Sequence, residues 1–194
     1  MIAVGYLVPD LTDPAVTRRR IMLEAGGATV RVAGFHRRPL SADPDATILP
    51  LGLTRDAALA HRLSAVGRWL LRPAALRRTV QGADLVIARN LEMLLLAYVA
   101  LIGRRRIPLH YECLDLHRLM VGRGMVSGML RTLEALLMRR VTRVIISSPA
   151  FERHYFRVYH AGADCLLIEN RVLALDGPVP SPQPIHQQGP PWII

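Results

Sequence analysis

The chain has 194 residues, which fits one domain comfortably and two only with strain. A hydrophobic fraction of 51% excludes a disordered chain, and an aromatic fraction of 5% makes the core aliphatic. The net charge is +10 and all 25 basic residues are Arg, a bias typical of a GC-rich coding sequence; the excess favours anionic partners, of which nucleic acid is the poorest, because no recognition signature is present and the few aromatics are not interleaved with Arg.

The first seven-residue apolar run, 2 to 8 (IAVGYLV), is apolar on both faces and stopped by Pro9, which predicts a buried parallel strand. Asp13-Pro14 then reads as a helix start, with Asp as the cap and Pro at the first helical position, and Gly26-Gly27 as its stop. Residues 28 to 34 form a second strand and 48 to 51 a short third one. Thr54 can cap a helix running to about Leu71, where Leu59, Leu63, Val66 and Leu70 recur at helical spacing before a break near Pro73. Residues 84 to 88 (DLVIA) are a strand, and Asn90 caps a helix from Leu91 to Ile102. A strand over 108 to 113, a loop holding Asp115 and His117, a helix over 127 to 140 and a strand over 143 to 147 follow. Ser148-Pro149 repeats the cap-and-proline start, and a last strand over 164 to 168 leads to Glu169-Asn170.

Strands this apolar, alternating with helices, require right-handed crossovers and a sheet covered on both faces. The expected fold is therefore α/β, a Rossmann-like three-layer domain with a mostly parallel sheet. Residues 1–173 are expected to make this domain; 174–194, rich in Pro and Gln, read as a linker, and Trp192-Ile193-Ile194 as the first residues of a new buried strand at the start of a second domain. The linker is expected to be poorly ordered.

Met1 runs straight into a strand with no basic segment, so no signal peptide is expected; the longest apolar run, 93 to 102, falls short of the about 20 residues a bilayer span needs. The expected location is the cytoplasm, peripheral on the inner face of the plasma membrane. Cys113 and Cys165 lack CxxC spacing and read as free thiols. The segment from Arg55 to Arg78 carries six Arg, one Asp and Trp69. It could lie on an anionic membrane surface, or turn its leucine stripe to the core.

In open α/β sheets function gathers at the carboxyl ends of the strands. This selects Pro9 to Asp13, Arg89-Asn90, Glu112 to His117, Ser147-Ser148 and Glu169 to Arg171. The first strand–helix loop, PDLTDPA, has no GxGxxG, and a P-loop is excluded by the absence of Lys. The densest polar cluster is Glu112, Asp115 and His117, where a carboxylate beside an imidazole can deprotonate a hydroxyl; alternatively Asp115 caps the next segment and His117 is solvated. Arg89 can hold an anionic group or balance a loop.

The pieces ADLVIARNLEML, IPLHYECLDLH, LRTLEALLMRRVTRVIISSPAFERHYF and LLIEN, in this order, resemble the N-terminal domain of GT-B glycosyltransferases of family 4. The opening GYLVPDLTDPAVTRRRIMLEAGGATVRVAGF is similar to bacterial exopolysaccharide members of the succinoglycan-pathway type. The resemblance reaches to about Arg171 and implies transfer of a sugar from a nucleotide-sugar to a glycan or lipid-linked acceptor, with retention and without a required metal or other cofactor. It implies that this domain binds mainly the acceptor. The nucleotide and a Glu-x7-Glu element would belong to a C-terminal domain beyond Ile194, so that this chain alone would be inactive. The chain departs from the family in carrying PDLTDPA where a glycine-rich loop is usual. Under this reading Asp115 and His117 are catalytic and line the acceptor side of the cleft, and Asp13, Arg89, Asn90, Glu112, Ser148 and Asn170 contact substrate. A non-enzymatic α/β binding module docking on anionic membranes is the alternative. A flavodoxin-like regulator fits less well, since it would want a Lys late in the domain.

Overall fold

The computed structural model describes residues 1–40, 46–54, 59–116, 118–122 and 124–169. Seven strands form one sheet: β1 (Ile2–Val8), β2 (Ala28–His36), β3 (Ile48–Leu53), β4 (Leu85–Arg89), β5 (Leu109–Cys113), β6 (Arg143–Ile146) and β7 (Cys165–Leu167). Their spatial order is β3-β2-β1-β4-β5-β6-β7, and every neighbouring pair is parallel. The expected Rossmann-like α/β fold is therefore the observed one.

The helices are α1 (Pro14–Ala25), α2 (Leu59–Leu70), α3 (Pro73–Thr79), α4 (Asn90–Ala100), α5 (Arg118–Val121), α6 (Met125–Met138), α7 (Pro149–Phe151) and α8 (Arg157–Tyr159), the last two joined by a π-helical turn (Glu152–Phe156). Helix α1 starts as its sequence dictates: the Asp13 side chain accepts from the Ala15 N–H, and Pro14 gives up no donor the helix needs. Gly27 closes it at φ 84°, a conformation without steric cost only for glycine. Pro73, expected to end a helix, also begins the short helix α3.

The core has two layers. On one face of the sheet Val4, Tyr6, Val8, Val30, Val32, Ile87 and Ile145 pack together with Val16 of α1. The larger layer on the other face joins Leu7, Val86, Tyr111, Val144 and Ile146 to the helices α2, α3, α4 and α6. Helix α4 is apolar because it is buried nearly all round: Met93, Leu94, Leu96, Ala97 and Ala100 are fully enclosed. The basic segment ahead of β4 also turns inward, with Val66 and Leu76 buried and Trp69 donating its indole N–H to the Leu51 carbonyl at 2.7 Å. Gly34 of β2 is required by close approach, because a Cβ there would sit 2.5 Å from the Val8 carbonyl oxygen. Pro50 is tolerated because β3 is an edge strand, where a missing N–H costs no ladder bond.

Candidate functional site at the carboxyl edge of the sheet

Because all seven strands run the same way, the described parts of the strand–helix loops selected from the sequence open on one edge. The strand order reverses between β1 and β4: from β1 the chain proceeds to β2 and β3, and from β4 it moves the opposite way to β5, β6 and β7. The two loops beside that reversal are Pro9–Asp13 and Arg89–Asn90, the place where ligands of open α/β sheets generally find a crevice.

A fully buried ionic cluster supports this crevice. Glu112, with no exposed surface, accepts from Arg19 Nε at 2.6 Å, from Arg89 Nε at 2.8 Å and from the Tyr6 hydroxyl at 2.5 Å. The neighbouring strands set part of this geometry, since Arg89 and Glu112 are register partners across β4 and β5. Arg89 also reaches Asp13 at 3.4 Å and the Ala15 carbonyl at 3.3 Å, and its guanidinium lies over the Tyr6 ring. Burial pushes the Glu112 carboxyl up, but the adjacent Arg89 and Arg19 charges outweigh it and hold the group below the usual carboxylate range. Burial also raises the Tyr6 hydroxyl, so this phenol stays protonated and donates. The cluster ties α1 to the tips of β1, β4 and β5. Glu112 and Arg89 are thereby committed to each other beneath the edge, which gives them the work of fixing the loops above.

The exposed groups above them are the ones a ligand can meet. Asp13 keeps part of its carboxylate in solvent while capping α1. Asn90 is half-buried at the start of α4 and holds φ 68°. Its expected side-chain cap is absent: no side chain caps this helix start, and the left-handed backbone, which Asn tolerates better than most residues, explains the residue type instead. A strained backbone directly at a strand tip is a feature of functional edges. Asp115 is exposed in the loop after β5 and is not a cap hydrogen-bonded to α5 among the described contacts; its carbonyl receives the Cys113 thiol at 3.8 Å. Ser148 accepts from the Ala150 N–H at 3.2 Å and caps α7, as its sequence predicts. His117, Asn170 and the whole of 174–194 lie outside the described residues.

Sequence reasoning missed Arg19 and Tyr6, which no motif marks. Within the selected Pro9–Asp13 loop, the Asp10 carboxylate accepts from the Thr12 N–H at 3.0 Å and the Thr12 hydroxyl at 2.7 Å and pairs with Arg37 at 3.2 Å, folding the loop on itself. A small crevice of about 10 Å³ between Ala15, Arg18, Arg19, Arg89, Leu114 and Glu169 brings the last loop of the sheet against α1. A second buried carboxylate, Glu134 of α6, accepts from the Tyr111 and Tyr155 hydroxyls at 3.1 and 2.5 Å and contacts His160 Nε2 at 2.8 Å on the opposite face of the sheet. Cys113 and Cys165 are free, and burial pushes the Cys113 thiol up to about 12.

No family model matches the chain. It is 44% identical over 203 aligned positions to the succinoglycan biosynthesis protein ExoL of Rhizobium meliloti; the match takes in 100% of this chain and 50% of that protein, so the chain spans about half the length of this curated relative. Among solved structures it resembles a sucrose-phosphate synthase from Thermosynechococcus elongatus (16% identity, 87% of each chain, TM-score 0.55). It also resembles the UDP-GlcNAc 2-epimerase of Methanocaldococcus jannaschii (9% identity, 86% of this chain and 45% of that one, TM-score 0.54). These structural likenesses establish the fold, a Rossmann-like α/β domain shared with sugar-converting enzymes, and the sequence match makes the chain a homologue of a polysaccharide biosynthesis protein.

Proposed function

We propose that this chain is the acceptor-side domain of a bacterial glycosyltransferase that moves a sugar from a nucleotide-sugar to a glycan or lipid-linked acceptor during exopolysaccharide assembly, as a member of the GT-B family 4 class. The observation that carries the reading is the 44% identity to a succinoglycan biosynthesis protein across the full chain. The carboxyl-edge geometry supports it, because an edge that carries exposed Asp115 and half-buried Asp13, Asn90 and Ser148 can serve as one wall of a cleft, and a relative of twice the length has room for the other.

In this proposal the work divides by burial. Asp115, with His117 in the same loop, stands on the acceptor side, where a carboxylate or imidazole can take the proton of an attacking hydroxyl. Asp13, Asn90, Ser148 and Asn170 position sugar hydroxyls by hydrogen bonding, and much of the rate comes from holding acceptor and donor in line. Arg89 and Glu112 act from beneath, keeping the Asp13 and Asn90 loops in one geometry. The donor's nucleotide is held by the second domain, and the chain alone is inactive.

The test is a chimera in which this chain replaces the matching half of the R. meliloti protein, in cells lacking that protein. Restored succinoglycan, together with sugar incorporation from a nucleotide-sugar into the lipid fraction, is the expected result. A folded chimera that yields neither, beside an active parent, overturns the reading.

A further inference from the structure

Helix α6 presents an apolar face to solvent. Its inward positions are spoken for by Glu134 and Leu137, both buried, but the outward ones carry Met125 (87% exposed), Met129 (70%) and Leu136 (50%). Half-buried Leu133 floors a shallow groove between them, and Arg139 closes its end. A surface helix ordinarily places polar residues on this face, and a continuous exposed apolar stripe marks an interaction surface.

The surrounding charge decides the partner. Arg140 folds back from the end of α6 and its Nη2 donates to the carbonyls of Arg104, Arg105 and Ile107 at 3.2, 3.3 and 2.6 Å. This docks the Arg104–Arg106 turn against the end of the stripe and gathers five arginines, 104, 105, 106, 139 and 140, in two touching turns. Along the chain no acidic residue occurs between Glu92 and Glu112, and the one acid between Asp115 and Glu152 is the buried Glu134; Asp164, which lines a hollow with Arg139, is paired with Arg143 at 2.8 Å. Exposed Ile102 precedes the basic turn. A stripe of Met and Leu ending in clustered guanidinium groups matches the interface of a bilayer with anionic headgroups: the apolar side chains enter the acyl boundary and the Arg stems reach the phosphates. Among the described residues no helix is long and apolar enough to cross a membrane, so attachment through these residues is to one leaflet.

We propose that α6 and the Arg104–Arg106 turn form a docking surface for anionic membranes. The 55–78 segment, whose sequence allows a membrane face or a core face, turns Val66, Trp69 and Leu76 inward. The proposal needs no sugar chemistry and stands or falls apart from the transferase reading.

Flotation of the full chain with vesicles tests it. The chain is expected to float with vesicles of equal parts phosphatidylcholine and phosphatidylglycerol and to stay behind with phosphatidylcholine alone. Met129→Asp combined with Leu136→Asp is expected to lower the bound fraction by about tenfold. Arg105→Gln with Arg106→Gln should weaken binding by about fivefold and flatten its salt dependence. Arg72→Gln with Arg77→Gln, exposed charges on the other basic segment, should leave binding unchanged. All six substituted positions are solvent-facing, and circular dichroism confirms that each variant is folded. The proposal is overturned if the wild-type chain ignores anionic vesicles, if the α6 pair floats like wild type, or if the Arg72/Arg77 pair loses as much binding as the Arg105/Arg106 pair. It is equally overturned if the wild-type chain is a dimer that Met129→Asp splits while vesicle binding persists, which would make the stripe a contact between copies.

Discussion

Replacing Glu112 by Gln probes the support beneath the candidate site. The substitution keeps the side chain's shape but removes the negative charge shared by Arg19 at 2.6 Å and Arg89 at 2.8 Å, whose side chains are 7% and 3% exposed. Arg19 then loses its carboxylate in a poorly solvated space, Arg89 keeps only the longer 3.4 Å contact to the partly exposed Asp13, and the Gln amide points N–H toward at least one of them. Breaking a buried pair by removing one partner costs about 3–5 kcal/mol, against a total stability of about 5–15 kcal/mol for a domain. At about 2–4 °C per kcal/mol for a chain of this size, the melting temperature should fall by roughly 6–20 °C. Tyr6→Phe, which deletes one hydrogen bond to the same carboxylate but leaves both ion pairs, should cost less, about 1.5–3 kcal/mol. Linkage supplies an independent check. The Glu112 carboxyl is held below its ordinary value of 4.5 in the folded chain, so its stabilisation is complete above about pH 4.5 and is lost as pH falls through the folded-state value. The stability gap between wild type and Glu112→Gln, read from urea titrations, should therefore narrow below that pH. A loss under about 1 kcal/mol at pH 7, or a gap that ignores acid, would refute the account of the cluster.

Further expectations concern the backbone and the exposed edge. Asn90→Gly should keep stability within about 0.5 kcal/mol because glycine accepts φ 68°, whereas Asn90→Val should lose about 1–2 kcal/mol; equal losses in thermal melts would remove the left-handed backbone as the reason for Asn. Gly34→Ala would force a Cβ to 2.5 Å from the Val8 carbonyl oxygen and 2.6 Å from Val8 Cγ2, and should cost about 1–3 kcal/mol in urea unfolding, with a neutral result contradicting the packing described. In the active chimera, Asp115→Asn and His117→Ala should each lower turnover by more than about tenfold with melting temperature unchanged; unaltered turnover would remove both residues from the chemistry.

What the sequence disclosed follows from how local each signal is. The strand at 2–8 and those at 85–89 and 109–113 are legible because burial on both faces leaves unbroken apolar runs. Asp13-Pro14 and Ser148-Pro149 are legible because capping is a contact two residues long. Gathering the polar loops on one edge needed only the rule that parallel strands share a direction. The role of Glu112 was not legible: it depends on Arg19, 93 residues away, and Tyr6, 106 away, and neither position differs in pattern from its neighbours. Burial also reversed the emphasis, since Glu112 read as the first member of a reactive cluster and proves to be wholly enclosed. The outward stripe of α6 escaped because apolar residues at helical spacing mark a buried face and an exposed one equally well; Met125 and Met129 reveal theirs only once Leu137 is seen to occupy the inner side.

The central place of β1 has a consequence for how the chain is made. Its first neighbour, β2, is synthesised within some thirty residues, but its other side waits for β4, where Val4 meets Leu85 and the Asp84 carboxylate reaches the Ala3 N–H. A nascent polypeptide must therefore emerge almost to residue 90 before the earliest strand is covered on both flanks. Such distant pairings slow folding and lengthen the time a sticky edge stays open. The interval before β4 arrives is the one in which misassembly at this open flank competes with folding.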